Sequence, residues 1–316
     1  MHNNDQKHFR TPQARASFAA RTVQRIGAVA ALGIASFFAS PFVAPAHAAG
    51  HYVPGVEGIQ AASVPGPGMY FLGYAVNYNI NRLTQAPGSN EGSVNALALR
   101  GAWITQATFL GANYGVEAIV PMTSKSFTFN GIGYSGSGRG VGDVYVSPLV
   151  LGWHGAQWDL SFGLGQWLNV GTFSATDPTS PGNGYSSTML SFGGTYYPDA
   201  AKLWSVSVLM RAEKNYSQRE TGITPGDGLV VEWGVARHIT PTTQLGLVGY
   251  YQGQISNDSG NGASPMRPHK AAVGVQFDWL IPSEKLFLKV AGYTEYAAGG
   301  GSTKGNLIRL ALVKAF

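Results

Sequence analysis

From residue 69 to the C-terminus the sequence holds no apolar run of helix length, yet it alternates apolar with small or polar residues in stretch after stretch. In a hydrocarbon environment every backbone N–H and C=O must be satisfied internally, which leaves only helices and closed barrels as spanning structures. The segment from Tyr70 to Ile80 shows the barrel pattern. Tyr70, Leu72, Tyr74, Val76, Tyr78 and Ile80 share one face, and Gly73, Ala75, Asn77 and Asn79 the other. At about 3.3 Å per residue, a run of this length crosses a tilted barrel wall.

The same reading predicts strands at 69–83, 95–109, 114–124, 141–153, 157–170, 185–197, 203–213, 228–238, 243–255, 270–280, 285–296 and 306–316. Connections alternate along the chain. Long ones are expected at 84–94, 125–140, 171–184, 214–227, 256–269 and 297–305, and short ones at 110–113, 154–156, 198–202, 239–242 and 281–284. Long loops at one end and short turns at the other define an up-and-down outer-membrane barrel, whose even strand count returns both termini to the short-turn side. The expected fold is therefore all-β, a transmembrane antiparallel up-and-down barrel of about 12 strands with an N-terminal plug-like segment.

Residue sorting supports that reading. Phe109, Tyr114, Trp153, Trp158, Tyr196, Trp204 and Trp279 gather beside the expected short turns, and Tyr78, Tyr251 and Tyr296 beside the long loops. Amphipathic rings are favoured at the two membrane–water boundaries. Arg100, Glu117, Asp159, Arg211, Glu232, Asp278, Lys289 and Arg309 fall on the phase opposite the apolar face, as a charge network enclosed in the lumen requires. Only 12% of residues are charged, about half the usual share for a soluble domain. The absence of cysteine excludes disulfide scaffolds and thiolate metal sites.

The N-terminus reads as an export signal. Lys7, Arg10, Arg15, Arg21 and Arg25 precede an apolar run from Ile26 to Val43, and Ala46-His47-Ala48 supplies a small-x-small cleavage site. This division gives a signal peptide at 1–48, an N-terminal plug or periplasmic segment at 49–68 and the barrel at 69–316. The signal carries most of the formal net charge of +5, so no basic patch remains for nucleic acid. In the segment that follows, prolines and glycines forbid a regular strand or helix, while Tyr52, Val53, Val56 and Ile59 are apolar. They are expected to tuck into the barrel mouth; a free periplasmic tail is the alternative.

Catalytic motifs are weak. Gly131-Ile132-Gly133-Tyr134-Ser135-Gly136 matches a dinucleotide fingerprint in form, but no helix pattern follows it. Ser256 to Asn261 lacks the spaced acidic ligands and closing glutamate of a calcium loop. His51, His154, His238 and His269 have no convincing serine neighbour for nucleophilic catalysis. No cofactor and no metal are expected, and the chain is not expected to be an enzyme.

Two islands and the C-terminus carry a family resemblance. His51-Tyr52-Val53-Pro54-Gly55-Val56-Glu57-Gly58-Ile59 and Gly142-Asp143-Val144-Tyr145-Val146-Ser147-Pro148-Leu149, followed by Gly152-Trp153-His154, resemble the phenol meta-pathway family of outer-membrane transporters. That family includes the sphingosine-induced outer-membrane proteins. Asn169-Val170-Gly171-Thr172 departs from the family's proline-glycine turn. The terminal Phe316 on an alternating strand resembles the signal read by the barrel-assembly machinery, with Lys314 a departure from its pattern. The resemblance implies a barrel associated with aromatic or long-chain hydrophobic compounds.

The expected function is passive uptake or binding of small hydrophobic or aromatic compounds in a Gram-negative outer membrane. Outer-membrane lipids and the assembly machinery are the expected partners. Phe71, Trp167, Tyr250, Phe287 and Tyr293 are the expected solute contacts, offering apolar surface and stacking. A structural envelope barrel without a specific solute and a lipid-modifying enzyme are the alternatives.

Overall fold

A computed structural model describes Met1 and residues 50–316 of the chain. The expected signal peptide beyond Met1, and Ala49, lie outside the described residues. Thirteen strands are found among those described: β1 (Gly68–Leu83), β2 (Asn90–Phe109), β3 (Ala112–Phe129), β4 (Tyr134–Val141), β5 (Val144–His154), β6 (Trp158–Leu168), β7 (Ser187–Tyr196), β8 (Trp204–Asn215), β9 (Gly228–Thr240), β10 (Thr243–Gln254), β11 (His269–Ile281), β12 (Leu286–Gly299) and β13 (Thr303–Ala315).

Neighbours in sequence pair antiparallel from β5 round to β13, β13 pairs with β1, and the β1–β2 and β2–β3 ladders close the ring. β4 and β5 share one wall position. β4 pairs with the long-loop end of β3, from Met122 to Phe129, and β5 with its other end, from Asn113 to Ile119. The barrel therefore has twelve wall positions and thirteen strands.

The extra strand corrects the expectation of a loop at 125–140. Ser135-Gly136-Ser137-Gly138-Arg139-Gly140 has no apolar alternation to betray it, and pairs by backbone alone. The expected strand 141–153 is split at Gly142-Asp143. Connections at 84–89, 130–133 and 300–302 are short, because β2, β3, β12 and β13 extend past the positions expected of them and β4 is an added strand. Three long connections remain at the same end, 169–186, 216–227 and 255–268. They are knitted together: Arg219 donates to the Gly171 carbonyl at 2.7 Å, Gln218 to the Asn183 carbonyl at 2.8 Å, and Thr224 bridges to Ser259.

Outward side chains form an apolar band. Val206, Val208 and Met210 on β8, Leu245 and Leu247 on β10, and Val273, Val275 and Phe277 on β11 are all exposed. Contiguous apolar exposure on this scale marks a membrane-facing surface. Phe109, Trp158, Tyr196, Trp204 and Trp279 ring the short-turn end, where their polar edges meet headgroups. Above the band the outward face of the tall strands turns polar, with Asn77 bonded to Asn95 at 2.7 Å and to Asn79 at 2.9 Å.

This placement reverses the expected phase of β1. Tyr74, Val76 and Ile80 are buried inside, and Tyr78 bonds to inward Glu295 rather than joining the outer aromatic belt. Phe71, expected in the lumen, lies on the outer face and is 45% exposed. Alternation separates two faces of a strand but does not say which meets lipid, and on β1 both faces are apolar at the short-turn end.

Leu247 stands at the middle of the apolar band, 57% exposed. Leu247→Arg is expected to destabilise the barrel by roughly 2–4 kcal/mol, measured by urea unfolding in lipid vesicles. Wild-type stability for this variant would contradict the outward assignment.

Candidate functional site: the barrel interior

The chain between residues 50 and 66 forms no strand or helix, so its backbone polar groups must find partners elsewhere. They find them on inward-facing charged and amide side chains. The Glu213 carboxylate accepts the His51 and Tyr52 amides at 2.7 and 2.8 Å. Glu232 accepts the Glu57 and Gly58 amides at 3.1 and 3.3 Å. Arg309 donates to the Val56 carbonyl at 2.7 Å, and Gln276 accepts the Ile59 amide at 3.3 Å.

The segment runs lengthwise inside the wall. His51 lies among residues at the long-loop end, whereas Ser63 bonds to Thr195 near the short turns at 3.0 Å and Val64 packs on Gly152. Gly58 is required here. Its φ is +73°, and a Cβ would stand 1.9 Å from the Gln276 Oε1.

His51 anchors the long-loop end. Its ring stacks on Trp167 with centroids 5.4 Å apart. Nε2 faces the Asp143 carboxylate at 3.2 Å and the Tyr185 carbonyl at 3.1 Å. Nδ1 faces Glu213 at 3.5 Å and Ser187 Oγ at 2.9 Å, and that hydroxyl donates onward to Asn215. Acceptors surround both nitrogens, which fits the doubly protonated imidazolium. Burial would lower the pKa of this ring, but its hydrogen bonds to Asp143 and Glu213 outweigh that and push it up to about 9.

The Asp143 carboxylate also accepts the amides of Gly171 at 2.9 Å and Asn183 at 2.7 Å. The break between β4 and β5 thus ties together the segment and the 169–186 loop. Nearby, Tyr145 packs on Trp167 with centroids 5.0 Å apart. The two sequence islands, far apart in the chain, meet at the His51–Asp143 contact.

A second cluster sits deeper. The Glu57 carboxylate accepts from Arg100 at 2.9 Å and from Arg211 at 3.2 Å, and Arg100 also pairs with Glu117 at 2.5 Å. Tyr52 donates its hydroxyl to Glu232 and accepts from Arg211 at 2.6 Å, whose guanidinium lies 4.1 Å from the Tyr52 ring centroid. Two cavities meet at this cluster. One of about 310 Å³ opens toward the long-loop end and one of about 350 Å³ toward the short turns, and Glu57, Arg100, Glu117 and Arg211 line both.

Of the other expected solute contacts, Trp167 and Tyr250 are buried and line the first cavity, Phe287 lines the second, and Tyr293 packs on Tyr250 with centroids 5.4 Å apart. Of the segment's apolar residues, Tyr52 and Ile59 are buried and Val56 packs against the core. Val53 is 43% exposed and faces the first cavity.

The charge network gathers Arg100, Glu117, Arg211 and Glu232, with Lys289 and Asp278 as a separate pair at 3.6 Å. Two members pair otherwise than expected. Asp159 bonds to His154 and Tyr197 at the short-turn end, and Arg309 meets the Val56 carbonyl and Gln276 instead of a carboxylate. Phe316 is 72% exposed, and its amide donates to the Met69 carbonyl at 3.0 Å.

Sequence reasoning missed Glu57, Glu213, Asp143, Lys125 and the Lys270–Glu295 pair at 3.0 Å. Glu57 and Asp143 lie in an irregular segment and a strand break, and Lys125 in an expected loop, with no period to read. Glu213, Lys270 and Glu295 share the inward phase of Arg211, Asp278 and Lys289 at the very ends of expected strands, where the apolar face beside them runs out. The carboxylate in an otherwise apolar Pro/Gly stretch was the available signal for Glu57.

A model of the family described as "Putative MetA-pathway of phenol degradation" matches residues 73–308. Among curated proteins none matches the sequence. Among solved structures, the chain is similar to the COG4313 outer membrane channel from Pseudomonas putida F1, with TM-score 0.71 and 14% identity over 84% of this chain and all of that one. It is also similar to the beta domain of the Bordetella autotransporter BrkA, with TM-score 0.50 and 12% identity over 80% of this chain and all of that one. At these identities the likenesses establish the barrel fold.

A folded-state pKa above the ordinary 6.5 means that His51 holds the segment fully below pH 6.5 and that this contribution is lost as pH rises through about 9. Deuterium exchange of residues 50–58, corrected for intrinsic rate, is expected to show protection at pH 6 that fades by pH 10. In His51→Gln the protection should be weaker and should not vary with pH over that range; a wild-type profile in this variant would contradict the anchor.

Proposed function

The chain belongs to the MetA-pathway of phenol degradation family, and from that premise we propose that it is a passive outer-membrane channel for small hydrophobic or aromatic compounds, narrowed by its own N-terminal segment. The observation that carries this reading is the pair of interior cavities meeting at the Glu57–Arg100–Arg211 cluster. A solute entering the first cavity meets Tyr74, Val76, Ile80 and Phe127 along one wall, with Trp167 and Tyr250 also in the lining. Apolar surface with a few convergent polar groups suits such molecules.

Twelve-position barrels lie between the small ones that side chains fill and the large ones that hold an open water channel. Residues 50–64 occupy interior space, so the remaining route is narrow, and its opening requires the Glu57 contacts to yield. Export through a cleaved signal peptide at 1–48 and assembly through the strand ending at Phe316 belong to the same proposal.

Planar-bilayer recording tests it. Deleting residues 50–64 should raise single-channel conductance severalfold over the full mature chain, and Glu57→Gln should raise the frequency of open events while leaving the open-state conductance close to that of the full chain. Identical traces for all three proteins would reject the segment as a plug.

A further inference from the structure

The first cavity has a chemical asymmetry. On β3 every second side chain faces inward, giving a row Glu117, Ile119, Pro121, Thr123, Lys125, Phe127 from the deep cluster toward the long-loop end. Strand register sets apolar partners beside it: Thr123 opposite Ala96 and so in line with Val76, Lys125 opposite Val94 and in line with Tyr78. Ala96 and Ala98 are small, and that leaves the concavity in the wall.

Lys125 is the odd member of this lining. Inward Lys270 stands 3.0 Å from Glu295 and inward Lys289 3.6 Å from Asp278, whereas no carboxylate lies within 4.0 Å of the Lys125 ammonium among the described residues. Its hydrogen-bond partner is the Ser180 carbonyl at 2.6 Å. Asp143 and Asp177 act on this ammonium only from beyond contact distance, and a largely buried cation with no carboxylate in contact is costly. Two further polar atoms in the same lining, Thr123 Oγ1 and Trp167 Nε1, are buried without a hydrogen-bond partner. The ammonium and the indole N–H can only donate and the hydroxyl can donate as well, so an acceptor carrying negative charge suits this lining.

Resting on the channel reading and sharpening it, we propose that the first cavity binds small monocarboxylates with an apolar body, the carboxylate against Lys125 and Thr123 and the body along Val76, Ile80 and Phe127. Deeper in the lumen Glu57 presents the same group to Arg100 and Arg211. A solute carboxylate moving inward therefore meets cations that the segment already engages with its own carboxylate, and exchange at Arg100 would loosen the segment's hold.

Titration calorimetry on the detergent-purified full mature chain, with benzoate, octanoate and the neutral benzyl alcohol, tests the site. Benzoate or octanoate should bind about tenfold or more tighter than benzyl alcohol, as a charge-assisted hydrogen bond predicts. Lys125→Met should remove that advantage and leave benzyl alcohol unchanged, and Lys125→Arg should restore most of it. Heat-modifiable gel mobility checks that both variants fold. Equal affinity for acid and alcohol, or an unaltered acid affinity in folded Lys125→Met, would overturn the proposal. The bilayer recordings separate this from the channel reading: Lys125-dependent acid binding without any opening on deletion of residues 50–64 keeps the site and removes transport. Opening without acid preference does the reverse.

Discussion

A chain that crosses hydrocarbon as strands can leave no backbone donor or acceptor unpaired at the lipid surface. The ring of ladders from β1 round to β13 and back satisfies that condition, and the other features follow from it. Within the apolar band outward positions hold apolar side chains, so ionisable groups at that depth are confined to the lumen. Once gathered there, they need partners. Residues 50–66, rich in backbone groups with no ladder of their own, supply many of them. Glu213, Glu232, Arg309 and Gln276 each bind main-chain atoms of the segment, so the irregular chain and the enclosed charges satisfy one another.

The arrangement gives the lumen a graded character. At the long-loop end, His51, Asp143 and Glu213 join the segment to the break between β4 and β5 and to the 169–186 loop. Near the middle, Glu57 lies between two arginines. Between them, on the β1–β3 side, the wall is lined by small and apolar residues and the cavity remains. The segment thus lies beside the two cavities, which meet at the Glu57 cluster.

Much of this was legible in sequence where charge accompanied alternation. Arg211, Glu232 and Asp278 each sit in a strand whose other face is plainly apolar, and there the inward phase was evident. β1 carries no charge before Arg82, and its inward Tyr74, Val76 and Ile80 look like a lipid face because the lumen beside them is itself apolar. β4 was illegible for a different reason, since a glycine-serine repeat pairs through its backbone and shows no side-chain period. Long-range partners were beyond reach as well: nothing local to His51 says that its acceptors lie in a strand break and at the far end of β8. The resemblance islands did mark both sides of that contact, without indicating that they touch.

The absence of native cysteine makes the seating and direction of the segment directly measurable. Pulsed electron–electron distance spectroscopy would use a spin label at Val53→Cys paired in turn with Ala175→Cys in the 169–186 loop and Asp199→Cys at a short turn. The account predicts one narrow distance distribution for each pair, the first markedly shorter than the second. Broad distributions for both pairs, or the shorter distance to residue 199, would show that the segment does not occupy the lumen in this direction and would remove the basis for a gated route.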